Sequence, residues 1–448
     1  MGEQWHGFRR VWGENITGIE TTLMGAAVIA VPFQNMYFQA GRLAVAGAQL
    51  SFFPLLGLVI LFFARMLVER RASDHGRGLV AVIGAFFVLV SLSSLMTVAV
   101  LGTQGLAWPL LLHKYVSQTI LYSVWLAAIF LVKVDRRLRW AFAVAFGVTC
   151  LGAIISIYSP TFNQESHSAF LYAKNLNLRP RGFSREASDL ALTIGGLGGV
   201  LYFWSSSRFR LAVLAATSFL LAAIQSKGAV GAWLLAVAVG FGFRWFRGRE
   251  RSAVVAELAA VALPLFGYYA YLLSGHSSAA PGRGLGYGLG VYVSAVAEGS
   301  TTVGTRLTMA VFSLATLFRA PLGVGFLGLL PWVHAFLPGV IQMVARAFPN
   351  FQYTEVMSYA VSTSGSFVSA KSVLFNGVVL AGFPFLALNA IIWWRFLRFV
   401  LKTNAGELLV PVLFVLVSYS AYAGIENSYA PAFVLSLAYF YVRGKSEE

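Results

Sequence analysis

Long apolar runs separated by short polar connections dominate the chain. A helix that crosses a bilayer needs about 20 largely apolar residues. Such runs occur at about 17–36, 43–64, 79–101, 116–132, 140–158, 189–205, 211–225, 229–243, 253–273, 372–392, 408–424 and 429–442. The seventh and eighth are short, and only Gln225-Ser226-Lys227-Gly228 separates them, which predicts a tight hairpin. The pattern predicts an all-α integral membrane protein of about twelve transmembrane helices, a single polytopic domain over residues 1–448.

Composition agrees with that pattern. Of the 448 residues 58% are hydrophobic and only 11% charged, against about 25% charged in an ordinary soluble domain. A disordered chain, a fibrous protein and a soluble nucleic-acid binder are excluded as classes. The net charge is nevertheless +16, from 33 Lys and Arg against 17 Asp and Glu. Position explains most of it. Cytoplasmic connections are enriched in Lys and Arg, and 21 of the 33 fall in one alternate set of short connections. That set includes Arg70, Arg71, Arg136, Arg137, Arg208, Arg210, Arg244 and Arg247. Both termini then face the cytoplasm. Basic connections against an anionic leaflet, at roughly 1 kcal/mol per residue, need no nucleic-acid partner. The single cysteine, Cys150, rules out an intramolecular disulfide and a thiolate metal site. The polar first residues carry no cleavable signal pattern.

Two outward segments, 159–188 and 274–371, exceed a turn and form the candidate active-site region. The second is partly helical. It opens Gly/Ser-rich, turns helix-like over Thr305–Phe318 and passes through Pro321-Leu322-Gly323-Val324-Gly325. The apolar pieces Phe326–Leu330 and Val333–Phe348 follow, broken by Pro331 and Pro338. Their alternatives are re-entrant, interfacial and spanning. No internal repeat relates the two halves of the chain.

The outward cations are the candidates for chemistry. Arg179, Arg181 and Arg185 stand within seven residues at the mouth of the sixth run. Guanidinium binds phosphate oxygens bidentately and keeps its charge when desolvated. The plainer reading is a solvated loop whose arginines are neutralised by Glu186 and Asp189. Arg306 opens a helical stretch, where free N–H groups also attract anions, and Lys227 stands at the hairpin tip. There is no DxD, HExxH or CxxC pattern and no phosphate loop, so neither a metal nor a cofactor is expected. The six histidines are scattered. His276 and His334 share the long outward segment.

With these residues in view, the chain resembles the O-antigen ligase and O-antigen polymerase (Wzy-type) superfamily of bacterial inner-membrane glycosyltransferases. The matching features lie in order between about Pro160 and Phe385. They are the Arg-x-Arg-Gly-Phe-x-x-Glu-x-Ser run ending at Ser188, the Ser226-Lys227-Gly228-Ala229 hairpin, Thr305-Arg306-Leu307 and Pro321-Leu322-Gly323-Val324-Gly325. The resemblance implies a GT-C-type helical fold with its active site facing the periplasm. It implies a glycan on polyprenyl diphosphate as donor, a glycan hydroxyl as acceptor, and metal-independent inverting transfer. It puts the grip on the diphosphate at Arg181 and Arg306, with Arg185 and Lys227 assisting. Membrane lipid, a chain-length regulator and a flippase are the partners it implies; nucleic acid is not among them.

One departure separates branches of that superfamily. Ligases carry a His-Asn-like pair about eleven residues before a glycine, and here Lys371-Ser372 stands before Gly382. Lysine is cationic and no ready base, which favours a polymerase of O-antigen, capsular or exopolysaccharide. Glu186, Glu298, Glu355 and Glu426 are the candidate bases, with Glu186 preferred. Arg179, Lys371, Ser364 and His276 are candidate contacts to acceptor hydroxyls or phosphate. The alternatives are a ligase moving glycan to lipid A core or protein, and a lipid-linked oligosaccharide flippase or other transporter. A flippase predicts two related halves and ionisable residues in mid-span, whereas here those residues gather at the outward mouth.

Overall fold

The computed structural model describes residues 18–33, 49–69, 74–134, 136–158, 180–184, 186–224, 226–247, 251–273, 301–361, 372–403, 405–425 and 428–447. Helices account for nearly all of them: α1 (Gly18–Ile29), α2 (Phe52–Glu69), α3 (Asp74–Leu101), α4 (Trp108–Phe130), α5 (Arg139–Tyr158), α6 (Ala187–Trp204), α7 (Ser207–Ala223), α8 (Lys227–Phe246), α9 (Arg251–Leu273), α10 (Thr301–Arg319), α11 (Gly325–Ala347), α12 (Thr354–Val361), α13 (Val373–Thr403), α14 (Gly406–Ala421) and α15 (Ala430–Glu447). A helix therefore occupies each of the twelve apolar stretches. Length and apolarity sufficient to cross a membrane are met among the described residues by six helices, not twelve, and Gly325–Ala347 is one of the six. Many large apolar side chains face outward, Leu263, Phe266 and Phe318 among them, which water would not tolerate over such an area. The protein is a helical membrane protein.

α6 runs through the middle of the bundle, and nearly every one of its residues is buried. Its glycines make this possible. A Cβ at Gly195 would stand 2.3 Å from the Phe414 ring, one at Gly198 2.4 Å from the Thr217 hydroxyl, and one at Gly199 2.7 Å from Pro411. Small residues let helix backbones approach where lipid offers no hydrophobic drive, so α7 and α14 close directly on α6.

Prolines 331 and 338 do not break the segment 325–347. It is one 23-residue helix, with Pro331 buried inside it. A membrane-embedded helix tolerates proline because neighbours re-satisfy the freed backbone, and α3 lies against α11 over this stretch. α10 and α11 form an antiparallel hairpin, tied by Trp332 Nε1 donating to Thr316 Oγ1 at 2.9 Å. The tip, residues 320–324, reaches α3 near the middle of its apolar stretch Ile83–Leu101. There Ser93 Oγ donates to the Leu322 carbonyl at 3.0 Å, and the Leu327 N–H donates to Ser94 Oγ at 3.1 Å. The tip also plugs a break in α13. Gly382 adopts φ +56°, and the broken ladder is replaced by Val324 N–H to Val379 O and Phe383 N–H to Pro321 O, both 2.8 Å. A Cβ on Gly382 would lie 2.0 Å from the Pro321 oxygen. The segment read as an outward loop is thus, over 301–361, a helical hairpin sunk halfway into the bundle with α12 packed on it.

Each end of the bundle carries a polar cluster. At one end Arg210 makes two bonds to Glu407, 2.5 and 3.2 Å, and Arg244 pairs with Glu257. Tyr202 OH donates to Glu257 at 3.1 Å and accepts from Arg244 at 3.0 Å. Two cations and two anions close on each other there. The sequence reading explained Arg210 and Arg244 by the anionic leaflet; both instead face buried or half-buried carboxylates inside the protein.

Candidate functional site at the cationic end

The other end gathers the start of α6, α8, α10 and α13 with the end of α5 and α14. Backbone and small side chains join them. Gly182 N–H donates to Ser156 Oγ at 2.8 Å, and Val373 N–H donates to the Ala423 carbonyl at 2.9 Å. Thr193 Oγ1 lies 2.9 Å from Ser428 Oγ.

Arg181 sits six residues before α6 and is 3% exposed. Gly182, at φ +54°, lets the chain turn tightly over Gly152 and Ala153 of α5. Burial pushes the Arg181 guanidinium below its ordinary pKa, and the charge of Glu186 works in the opposite direction. A guanidinium remains charged under both influences. Glu186 is the N-cap of α6 and exposed, with Ser188 Oγ donating to it at 3.4 Å.

Arg306 lies on the second turn of α10, its guanidinium 5.7 Å from the centre of the Tyr422 ring. Burial again lowers its pKa first, countered by Tyr422, Glu355 and Glu186. Among the described residues no carboxylate closes to ion-pair distance of Arg306. Tyr422, just past α14, is buried, and its hydroxyl lies 3.2 Å from Ser418 Oγ. Its ring also covers Gly228, where a Cβ would be 3.0 Å away. The hairpin that begins α8 at Lys227 therefore meets the same ring that carries Arg306. Two buried hydroxyls flank the arginines in sequence, Ser184 Oγ and Thr305 Oγ1, and neither has a hydrogen-bond partner among the described residues. Buried polar atoms are nearly always satisfied, so both are suited to an oxygen-rich ligand.

Comparison with known proteins adds one relative. No protein-family model matches the chain. A Klebsiella pneumoniae protein described as an uncharacterized 49.5 kDa protein in cps region is 29% identical over 211 residues. The match covers 46% of this chain and 44% of that protein, less than half the length of either.

At this end of the bundle the structure gathers Arg181 and Glu186, Arg306 and the backbone at Lys227 from three separate stretches of sequence, and the charge of Glu186 acts on both arginines. Arg179, Arg185, His276, Ser364 and Lys371 lie outside the described residues, as do Glu298 and Glu426. His334 sits within α11. Among the described residues no group of three His, Cys, Asp or Glu side chains is placed to hold a metal. Sequence reasoning missed Tyr422 and Tyr359. The signal for Tyr422 was slight: an aromatic one turn after Ser418 at the end of an apolar run. Tyr359 donates to Glu355 Oε1 at 2.7 Å on α12; its spacing of four is an ordinary helix-face spacing, unremarkable in a segment read as loop.

Proposed function

We propose that this protein is a membrane glycosyltransferase that polymerises glycan repeat units carried on polyprenyl diphosphate, for capsular or related polysaccharide. The observation that carries the reading is the placement of Arg181 and Arg306 at one end of a membrane bundle, both desolvated and both under the charge of Glu186, with no ion-pair carboxylate on Arg306 among the described residues. Supporting it are the buried hydroxyls of Ser184 and Thr305, which have no hydrogen-bond partner among the described residues, the resemblance of the surrounding motifs to the polymerase and ligase superfamily, and a relative described as a protein in cps region. Diphosphate leaves readily, and fixed cations in a water-poor site stabilise the charge it gains as it departs. Arg181 and Arg306 supply those cations, with Arg185 four residues from Arg181 and Lys227 at the start of α8 as helpers. Glu186 stands as their counter-charge at the head of α6. Binding two glycans in line lowers the remaining barrier by positioning.

Arg181→Ala and Arg306→Ala, introduced singly into cells that depend on this chain, are expected to abolish polymer. Protein level in the membrane and single lipid-linked repeat units should persist. Normal chain-length distributions in both variants would remove the site. One glycan block transferred to lipid A core or protein, with no growth of the chain, would favour the ligase.

A further inference from the structure

A grip on diphosphate accounts for the arginines but not for Glu355 on α12, whose charge acts on Arg306. The chain before α12 is docked on the first turn of α10. A Cβ on Gly304 would stand 2.6 Å from the Gln352 carbonyl oxygen, so glycine is what lets the two segments lie so close, two residues from Arg306. Met309, three residues past Arg306 and so on the same helix face, packs in one cluster with Val356 and Tyr359 of α12. Tyr359, 2% exposed, donates its hydroxyl to Glu355 Oε1 at 2.7 Å. Glu355 is therefore fixed on a helix braced against α10, near enough for its charge to act on Arg306 yet outside ion-pair distance. Glu186, by contrast, is exposed and meets a hydroxyl at 3.4 Å.

Opposite charges held close but apart suit an inverting transfer, with the cation at the leaving diphosphate, the carboxylate at the attacking hydroxyl and the anomeric carbon between. We infer that Glu355 is the general base for the acceptor hydroxyl and that Tyr359 is its positioning residue. The inference rests on the glycosyl transfer proposed above. In the step, the acceptor oxygen bonds to the anomeric carbon as the bond from that carbon to the diphosphate oxygen breaks. The bonding pair leaves with the diphosphate, and the hydroxyl proton passes to the Glu355 carboxylate. A structural alternative is that Glu355 and Tyr359 only brace α12 as a helix pair four residues apart.

The test uses full-length protein in nanodiscs, undecaprenyl diphosphate as the binding probe, and lipid-linked repeat units extracted from cells lacking this chain as substrate. Glu355→Gln should bind undecaprenyl diphosphate within about threefold of wild type while its polymerisation rate falls on the order of 10²–10⁴-fold, the usual range for loss of a general base. Glu355→Asp should recover part of that rate, and Tyr359→Phe should lower the rate with probe binding unchanged. A Glu355→Gln protein that polymerises near the wild-type rate overturns the assignment. So does one that loses probe binding and rate together, which makes Glu355 part of the grip or the scaffold. Wild-type protein that binds the probe but makes no polymer, or does not bind it, overturns the glycosyl-transfer reading and this inference with it.

Discussion

A guanidinium withdrawn from water is held only where something replaces its hydration, and among the described residues the partner at Arg306 is an aromatic face rather than a carboxylate. Cation–π contacts contribute about 0.5–2 kcal/mol and leave the N–H donors available to a phosphate. Tyr422 thus orients Arg306 without competing for it. Tyr422→Phe keeps the ring and should retain donor binding. Tyr422→Leu should weaken binding of undecaprenyl diphosphate by roughly 2- to 30-fold, measured on protein whose melting temperature is unchanged from that of Tyr422→Phe. Equal affinities in the two variants would show that the ring is only packing. At this scale the arginines were legible, because a cation in an outward segment of so apolar a chain is conspicuous. Tyr422 was not. It is one of 18 tyrosines, and its partner is 116 positions away in the numbering, joined only when α10 and α14 meet.

Among the elements, the apolar runs announced the helices well, and 211–225 and 229–243 pair around 225–228 as their spacing predicts. Over 301–361 the pattern gave a helical start and left re-entrant, interfacial and spanning arrangements open for the rest. Prolines 331 and 338 suggested interruption, but α3 and α10 flank α11 and the helix continues through both. The Pro-Leu-Gly-Val-Gly run recognised as a family-like motif has a local structural cause. Gly323 and Gly325 adopt positive φ, and the tip they form supplies the hydrogen bonds that α13 loses at Gly382. None of this is visible without knowing that 321–325 and 379–383 meet. A hairpin that sinks to the middle of α3 and turns back places both of its outer ends on one side of the membrane. In a Cys150→Ser background, Arg346→Cys should react with an impermeant thiol reagent from the same side as Glu186→Cys and from the side opposite to Arg208→Cys. Labelling of Arg346→Cys with Arg208→Cys would mean that α11 crosses alone.

Over the whole molecule, the positive charge separates into two different arrangements. At one end Arg210 and Arg244 are met by Glu257 and Glu407 around Tyr202, a closed set that ties α6, α7, α8, α9 and α14. Counting charge by connection could not reveal the partners of those two arginines, because Glu257 and Glu407 lie in other helices. At the other end lie Arg181 and Arg306, with no such closure around Arg306 among the described residues, and α6, narrowed by its glycines, links the two ends through the core. We propose that the end bearing Arg181 and Arg306 transfers glycan from polyprenyl diphosphate to a growing chain. The most direct test is to incubate the purified protein with lipid-linked repeat units extracted from cells lacking it, without added metal or nucleotide, and to resolve the products by size. A ladder of lengthening glycan with release of polyprenyl diphosphate is the predicted result. Repeat units recovered unchanged from a protein that still binds undecaprenyl diphosphate would contradict it.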